Sequence, residues 1–435
     1  MTRALFADLY ELTMMAGYDR AGMADQTATF DLFFRHPPGG IDQVILAGVE
    51  QALDDLVELH FSDDDVRYLA SQERFPEQFL QTLPGLRFAC DVWAIPEGVP
   101  VFGNEPLMRV TGPLLQGQWV ETLLINRIAY GSLVASHALA VVTAARGKPV
   151  LEFGARRAHG PDGALTATRS AIIGGCISTS NVEAARRFGL EVSGTQAHSW
   201  IMAFPDELSA FRAYAETFPD SCVLLVDTYD TLAQGVPNAI VVAGELADRG
   251  YRLQGVRLDS GDLDELSRGA RAQLDAAGHP DVTIVASGDL DAERIAALER
   301  AGAPIDAYGV GTAMVTARSD PTFSGVYKVA DVDGRPTLKL SGSPGKVSNP
   351  GRKQVWRTNT GDTVGLDHED LPGRALLQPA LRGGTRVSAP ESVHTIAQRC
   401  REEIAALTAD GHPGTVRLSD ELTALRSELI ARLRR

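Results

Sequence analysis

Between residues 146 and 312 the chain repeats one pattern, a short apolar run that ends in glycine or a polar residue and is followed by helical spacing. The runs are KPVLEFGARR, ending at Phe153-Gly154; LEVSGTQAH, ending at Gly194; CVLLVDTYD, ending at Asp227; LQGVRLDSGD, ending at Asp259; VTIVASGDLD, ending at Gly288; and IDAYGVGT, ending near Gly309. The helical stretches between them are amphipathic. DLDELSRGARAQLDAAG puts Leu263, Leu266, Ala270 and Leu274 on one face, and DAERIAALERAG does the same with Ile295 and Leu298. Short apolar strands alternating with such helices are βα units, and βα units build a parallel sheet. Six of them make either a barrel or a doubly wound sheet. An open sheet gathers its functional residues at one switch point. A barrel brings every strand's C-terminal end to one face. Polar tips on all six runs therefore favour the barrel.

The flanks differ in character. Residues 1–115 mix helical candidates (DLYELTMMAGYDRAG, VEQALDDLVELHF) with strand candidates (QTATFDLFFRH, PLMRVTG), and about 115 to 146 reads as helix. After 325 come a hairpin around Asp333-Gly334, a Gly/Pro-rich basic loop with its charges from Lys346 to Arg357, and two amphipathic helices. The expected organisation is an α+β segment at 1–115 with contributions from the C-terminal region, an α/β barrel at 116–325, and a segment at 326–435 that packs on both. The net charge of -15 over 435 residues opposes bulk phosphate-backbone binding, which needs a basic face, so no nucleic-acid partner is expected. Cys90, Cys176, Cys222 and Cys400 have no CxxC or zinc spacing and read as free thiols of a reducing cytoplasm. The N-terminus lacks a signal-peptide layout. The uncharged run 128–145, IAYGSLVASHALAVVTAA, has about the length of a membrane span but is rich in small residues and carries His137. It is expected to be a buried core helix, with no membrane partner.

The strand tips carry the chemistry. Arg156 and Arg157 are adjacent guanidiniums that suit a multiply charged anion or, equally, surface ion pairs. Arg257, Asp259 and Asp262 surround a Ser-Gly turn. Carboxylates there suit ribose hydroxyls or metal-bound water, or simple helix capping by Ser260 or Asp259. ASGDLD and AYGVGT are successive glycine turns of the kind whose backbone N–H groups bind phosphate. In VLLVDTYDT the acidic residues Asp227 and Asp230 are split and no Gly-rich loop follows, so the common phosphoribosyltransferase motif is not matched. His198, in GTQAHSW, has Asp227 on the next tip to orient and charge it. No second histidine stands at metal spacing and there is no GxSxG elbow. That leaves a general acid/base or a nucleophile accepting a phosphoryl group.

Taken together, ADLYELTM, ETLLIN, EFGARRAHG, GGCISTSNV, GTQAHSW, LLVDTYDT, VRLDSGDL, ASGDLD, YGVGT and KVSNPGRKQVWR, in this order over nearly the whole length, resemble the nicotinate phosphoribosyltransferase family. The resemblance implies an irregular TIM-like α/β barrel with a second α+β domain built mainly from the N-terminal segment. It implies transfer of a phosphoribosyl group from 5-phosphoribosyl 1-diphosphate to nicotinate, with ATP hydrolysis coupled through phosphorylated His198. By the same resemblance Tyr10, from the partner subunit of a homodimer with shared sites, and Phe153 sandwich the pyridine ring. Thr195 and Arg257 contact nicotinate, and Arg156 lies beside the diphosphate. Asp259 holds ribose hydroxyls, while Gly288, Gly311 and Thr312 cradle the 5-phosphate, and Asp227 supports His198. Ser180 stands where the related nicotinamide enzyme has an aspartate, which favours an anionic base. Mg2+ is expected to ride on the phosphates, with no residue assigned as its ligand. The alternatives are a nicotinamide phosphoribosyltransferase, a quinolinate-type enzyme, and a non-catalytic phosphate-binding barrel.

Overall fold

The structure, a computed structural model, describes residues 3–39, 41, 43–342 and 346–435. Its contacts group into two units, Met1–Ser136 with Asp320–Arg435, and His137–Ser319. The expected segments 1–115 and 326–435 thus share one unit, and residues 116–136 go with them.

In the first unit, strands β1 (Thr27–Phe34), β2 (Val44–Ile45), β3 (Asp91–Ala94), β4 (Pro100–Val101) and β5 (Met108–Pro113) precede the second unit in the chain. A seven-stranded sheet has β1, β5 and β3 at its centre, and strands from the far end of the chain pair at both of its sides. Gly325–Val332 lies antiparallel to β1, and Gln378–Arg382 to β3. The unit is therefore woven from both termini. β1 is buried along most of its length, and its Phe30 ring stacks on Tyr327 at 5.0 Å. The hairpin expected at Asp333-Gly334 is present, with both residues at positive φ (50° and 70°), the requirement of a type I′ turn.

The helix Glu121–Ala144 is long and apolar enough to cross a membrane, yet 56% of its most apolar 18 residues are buried inside the protein. Its small residues allow close approach. Ser132 and Ser136 hydroxyls accept the N–H groups of Ala47 and Ile45, and Gly131 lies against the Ala47 backbone. Most of the basic loop is committed internally. Lys353 Nζ donates to the carbonyls of Asn349 and Gly351 and pairs with buried Asp31 at 2.6 Å. Arg357 grips buried Asp362 with two nitrogens, and Arg352 pairs with Asp367. These cations brace the fold; residues 343–345 of the loop lie outside the described part.

The second unit holds β6 (Val150–Glu152), β7 (Ser178–Thr179), β8 (Val223–Leu225), β9 (Gly255–Leu258), β10 (Thr283–Ala286) and β11 (Ala307–Val310), all parallel. Their spatial order is β7-β6-β11-β10-β9-β8. The last strand thus pairs with the first, as in a closing barrel, and the ring opens only between β7 and β8. This is the expected α/β barrel in irregular form, a curled parallel half-barrel.

Five of the six apolar runs are strands. LEVSGTQAH is the exception, and it lies in the opening. It touches β7 through one bridge, Thr179 to Val192. It touches β8 through a side chain: the Gln196 carboxamide, oriented to satisfy both its ends, donates to the Val223 carbonyl and accepts from the Leu225 N–H. A side-chain amide here replaces a strand ladder at the β8 edge. The strand that takes its place in the count, β7, is two polar residues long and gives no apolar signal.

Candidate active site

A cleft of about 540 Å³ opens where the second unit's strands end. Phe153, Arg156 and Arg157 line it after β6, and Ser180 after β7. Gly194 and Thr195 contribute from the irregular segment, Arg257 and Asp259 from β9, Gly288 and Asp289 after β10, and Gly309, Gly311 and Thr312 from β11 onward. The tip of β6 is set by a buried carboxylate. Glu152 accepts the Gly154 N–H and the hydroxyls of Thr168 and Thr179, which ties the Phe153-Gly154 turn to β7 and to the helix Gly160–Ile173. A side chain at Gly309 would strike the Phe153 ring, so glycine is what lets that ring lie across β11. Gly288 has φ of +90°, and a Cβ there would stand 1.7 Å from the Asp259 carbonyl oxygen. No other residue allows β9 and β10 to approach so closely at their tips.

The charges are arranged asymmetrically. Arg156 and Arg157 are exposed on a 3₁₀ turn and form no ion pair among the described residues, so the surface-pairing reading is not met. Arg257 is largely buried. It donates to Thr195 Oγ1 at 2.6 Å and reaches Asp259 Oδ1 at 3.4 Å, while its Nε is buried without a partner. Burial lowers its pKa, and the charges of Asp259 and Asp227 oppose that shift. Asp259 also accepts from Ser287 Oγ at 2.6 Å. Three arginines thus share the cleft with two carboxylates, Asp259 and Asp289, in a strongly acidic chain.

His198 begins the short helix His198–Met202 rather than sitting in a bare strand-tip loop. Its Nδ1 meets Thr228 Oγ1 at 3.1 Å, and its Nε2 lies 3.8 Å from Asp259 Oδ2. Asp227, given by the resemblance as the support of His198, makes no hydrogen bond to it among the described residues. Its Oδ2 accepts the Asp259 N–H at 3.0 Å and the Ser260 hydroxyl at 2.6 Å. The physical reason is chain direction: β8 and β9 are adjacent and parallel, the Val226 N–H continues their pairing onto the Arg257 carbonyl, and Asp227 thus comes to the Asp259-Ser260 turn. The other acidic residues of these motifs are caps. Asp262, not Ser260 or Asp259, caps the helix Leu263–Ala276, and Asp230 caps the turn Thr231–Gly235.

Of the residues singled out in the sequence, Phe153, Arg156, Ser180, Thr195, Arg257, Asp259, Gly288, Gly311 and Thr312 all line the one cleft. Tyr10 belongs to the other unit, on the helix Leu9–Arg20, and is 45% exposed. Sequence reasoning passed over Thr228, Ser287, Asp289 and Gln196. Thr228 and Ser287 each adjoin a residue that was singled out, which was the only signal available. Gln196 gave none, because its role depends on an edge the sequence does not reveal. For a metal, the described residues contain no group of three His, Cys, Asp or Glu. The cleft offers the carboxylates of Asp259 and Asp289, enough for Mg2+ carried mainly by phosphate oxygens and water.

Known proteins match this chain along most of its length. Residues 5–129 match the nicotinate phosphoribosyltransferase (NAPRTase) N-terminal domain, and residues 149–364 the nicotinate phosphoribosyltransferase (NAPRTase) family. A nicotinate phosphoribosyltransferase of Mycobacterium tuberculosis is 46% identical over 88% of this chain and 83% of its own length. One of Bacillus subtilis is 45% identical over 86% and 78%. Among solved structures, human nicotinic acid phosphoribosyltransferase superposes with a TM-score of 0.84 at 31% identity, covering 97% of this chain and 99% of that one. With the half-barrel and its charged cleft, these likenesses identify the chain as a member of the nicotinate phosphoribosyltransferase family.

Proposed function

We propose that this chain transfers the 5-phosphoribosyl group of 5-phosphoribosyl 1-diphosphate to nicotinate, coupled to ATP hydrolysis through phosphorylated His198. The observation that carries the reading is the cleft's charge layout, with Arg156, Arg157 and Arg257 lining it beside Asp259 and Asp289 in a protein of net charge -15. Such a layout suits two anionic substrates and one polyol. Arg257 and Thr195 would hold the nicotinate carboxylate, with Ser180 adding no opposing charge, and Phe153 would cover one face of the ring. Asp259 would accept hydrogen bonds from the ribose hydroxyls. The turns at Gly288 and Gly311-Thr312 would receive the 5-phosphate through their backbone N–H groups.

The pyridine nitrogen attacks ribose C1. The N–C1 bond forms, the C1–O bond breaks, and diphosphate leaves with the bonding pair, its charge met by Arg156 and Arg157. Mg2+ bound to the diphosphate would supply further charge neutralisation there. In the coupled step an imidazole nitrogen of His198 attacks the γ-phosphorus of ATP, and ADP leaves. Water later cleaves the P–N bond to give phosphate. Phosphorylation would place negative charge near Asp259 and change how the cleft holds diphosphate. By family resemblance the active form is a homodimer, with Tyr10 of the partner subunit on the second face of the ring.

Labelled nicotinate, and nicotinamide in parallel, incubated with 5-phosphoribosyl 1-diphosphate and ATP, tests the reading. Nicotinate mononucleotide and diphosphate are expected. Turnover of nicotinamide alone would identify the amide-specific relative, and binding without any product would identify a phosphate-binding barrel. Either result refutes the proposal.

A further inference from the structure

We infer that Asp227 is a positioning residue for Asp259 and serves the phosphoribosyl donor, not the imidazole of His198. The inference deepens the proposed function and rests on its assignment of Asp259 to the ribose hydroxyls. Asp227 is 9% exposed and stands two residues past the end of β8. It is fixed from behind. The Val226 N–H donates to the Arg257 carbonyl, continuing the β8–β9 ladder by one residue, and Gly235 packs so closely on the Val226 carbonyl that a Cβ would stand 1.9 Å from it. From that fixed point Oδ2 takes both the backbone N–H and the neighbouring hydroxyl of the Asp259-Ser260 turn. The same turn is clamped on its far side, where Ser287 Oγ donates to Asp259 Oδ1 and the Ser287 N–H donates to the Leu258 carbonyl. The Asp259 carboxylate is therefore held between two neighbouring tips.

His198 is not hydrogen-bonded to Asp227 among the described residues. Its Nδ1 is held by Thr228, and Asp259 is the carboxylate within 4 Å of its Nε2. Asp227 Oδ1 is buried with no hydrogen-bond partner, so one oxygen of Asp227 does the positioning and its second does not contribute. An acceptor is what the turn requires, and a full negative charge is not. This separates two substitutions: Asp227→Asn keeps an acceptor for the turn, and Asp227→Ala removes it.

The test measures three quantities in the wild type, Asp227→Ala, Asp227→Asn and Ser260→Ala: KM for 5-phosphoribosyl 1-diphosphate, acid-labile phosphate on His198 from labelled ATP, and hydrogen exchange over 255–261 and 196–202. Asp227→Ala should raise that KM roughly tenfold or more through misplacement of Asp259. It should speed exchange at 255–261 more than at 196–202, and any fall in His198 phosphorylation should be smaller than the rise in KM. Asp227→Asn should restore most of the KM, and Ser260→Ala should show a smaller rise of the same kind. Lost phosphorylation with an unchanged KM, or faster exchange confined to 196–202, would assign Asp227 to His198 and overturn the inference. Should the wild type form no nicotinate mononucleotide, the functional reading fails on its own, and the exchange data still decide which segment Asp227 holds. If Asp227→Ala does not fold, Ser260→Ala and Asp227→Asn carry the same comparison.

Discussion

Ser180 and Arg257 line one cleft, and base choice should follow from the charge they present. Ser180→Asp would set a carboxylate against that of nicotinate. A cost of roughly 1 to 3 kcal/mol is expected, about 5- to 150-fold in kcat/KM for nicotinate, with a smaller loss or a gain for neutral nicotinamide. Equal losses for both bases would remove Ser180 from the pyridine site. Gly288 makes a second test at this scale. Its φ is +90°, and an added Cβ would stand 1.7 Å from a backbone oxygen, so Gly288→Ala must displace the Asp259 turn. Its kcat/KM for the phosphoribosyl donor should fall by roughly tenfold or more, while far-UV circular dichroism stays unchanged. Unchanged kinetics would show that the Gly288 turn does not set the site. Most cleft residues were legible in the sequence because strand tips in a barrel converge. The neighbours of Asp227 were not legible for a related reason: chain order makes it the next tip after His198, but its hydrogen bonds go to Asp259 and Ser260.

At the scale of elements, apolar runs identified strands wherever the run was long enough to be seen. β7 was not legible, since Ser178-Thr179 has the composition of a loop, and its strand character comes from pairing with β6. LEVSGTQAH failed in the opposite sense, because its one bridge to β7 and the Gln196 carboxamide stand in for a ladder. The helix Leu9–Arg20 carries a different feature. Glu11 is fully buried on it, accepts from the N–H and hydroxyl of Thr122, and leaves Oε2 unpartnered. Burial pushes its carboxyl up to about 7, Thr122 opposes the shift, and the charges of Glu121 and Asp8 add to it. A carboxyl raised in the folded state binds more protons there than when unfolded. Its stability contribution is therefore complete below the ordinary value of 4.5 and is lost as pH rises toward 7. The loss is on the order of 3 kcal/mol at most. Glu11→Gln cannot ionise, so urea midpoints should show the variant gaining on the wild type between pH 5 and pH 8. A difference that stays flat across that window would show that Glu11 does not titrate there.

At the scale of the whole molecule, the residues singled out fall in two units. The cleft and His198 belong to one, and Tyr10 to the other, where it is exposed. The weaving of both chain ends into the first unit was only partly legible, because strand pairing across some 300 residues leaves no local trace. If the family resemblance holds for assembly, Tyr10→Ala and His198→Ala subunits should complement one another. A mixed dimer would carry one site with both lesions and one with neither, and ATP-coupled activity should return on subunit exchange. Demonstrated exchange with no recovery would contradict shared sites. The account as a whole stands on His198 as the phosphoryl acceptor of this cleft. The most direct measurement is ATP hydrolysed per nicotinate mononucleotide formed, in the wild type and in His198→Ala. The wild type should hydrolyse ATP in step with synthesis and carry acid-labile phosphate, while His198→Ala should lose the hydrolysis and keep slow, ATP-independent synthesis. Full coupling in His198→Ala, or acid-stable phosphate on the wild type, would contradict it.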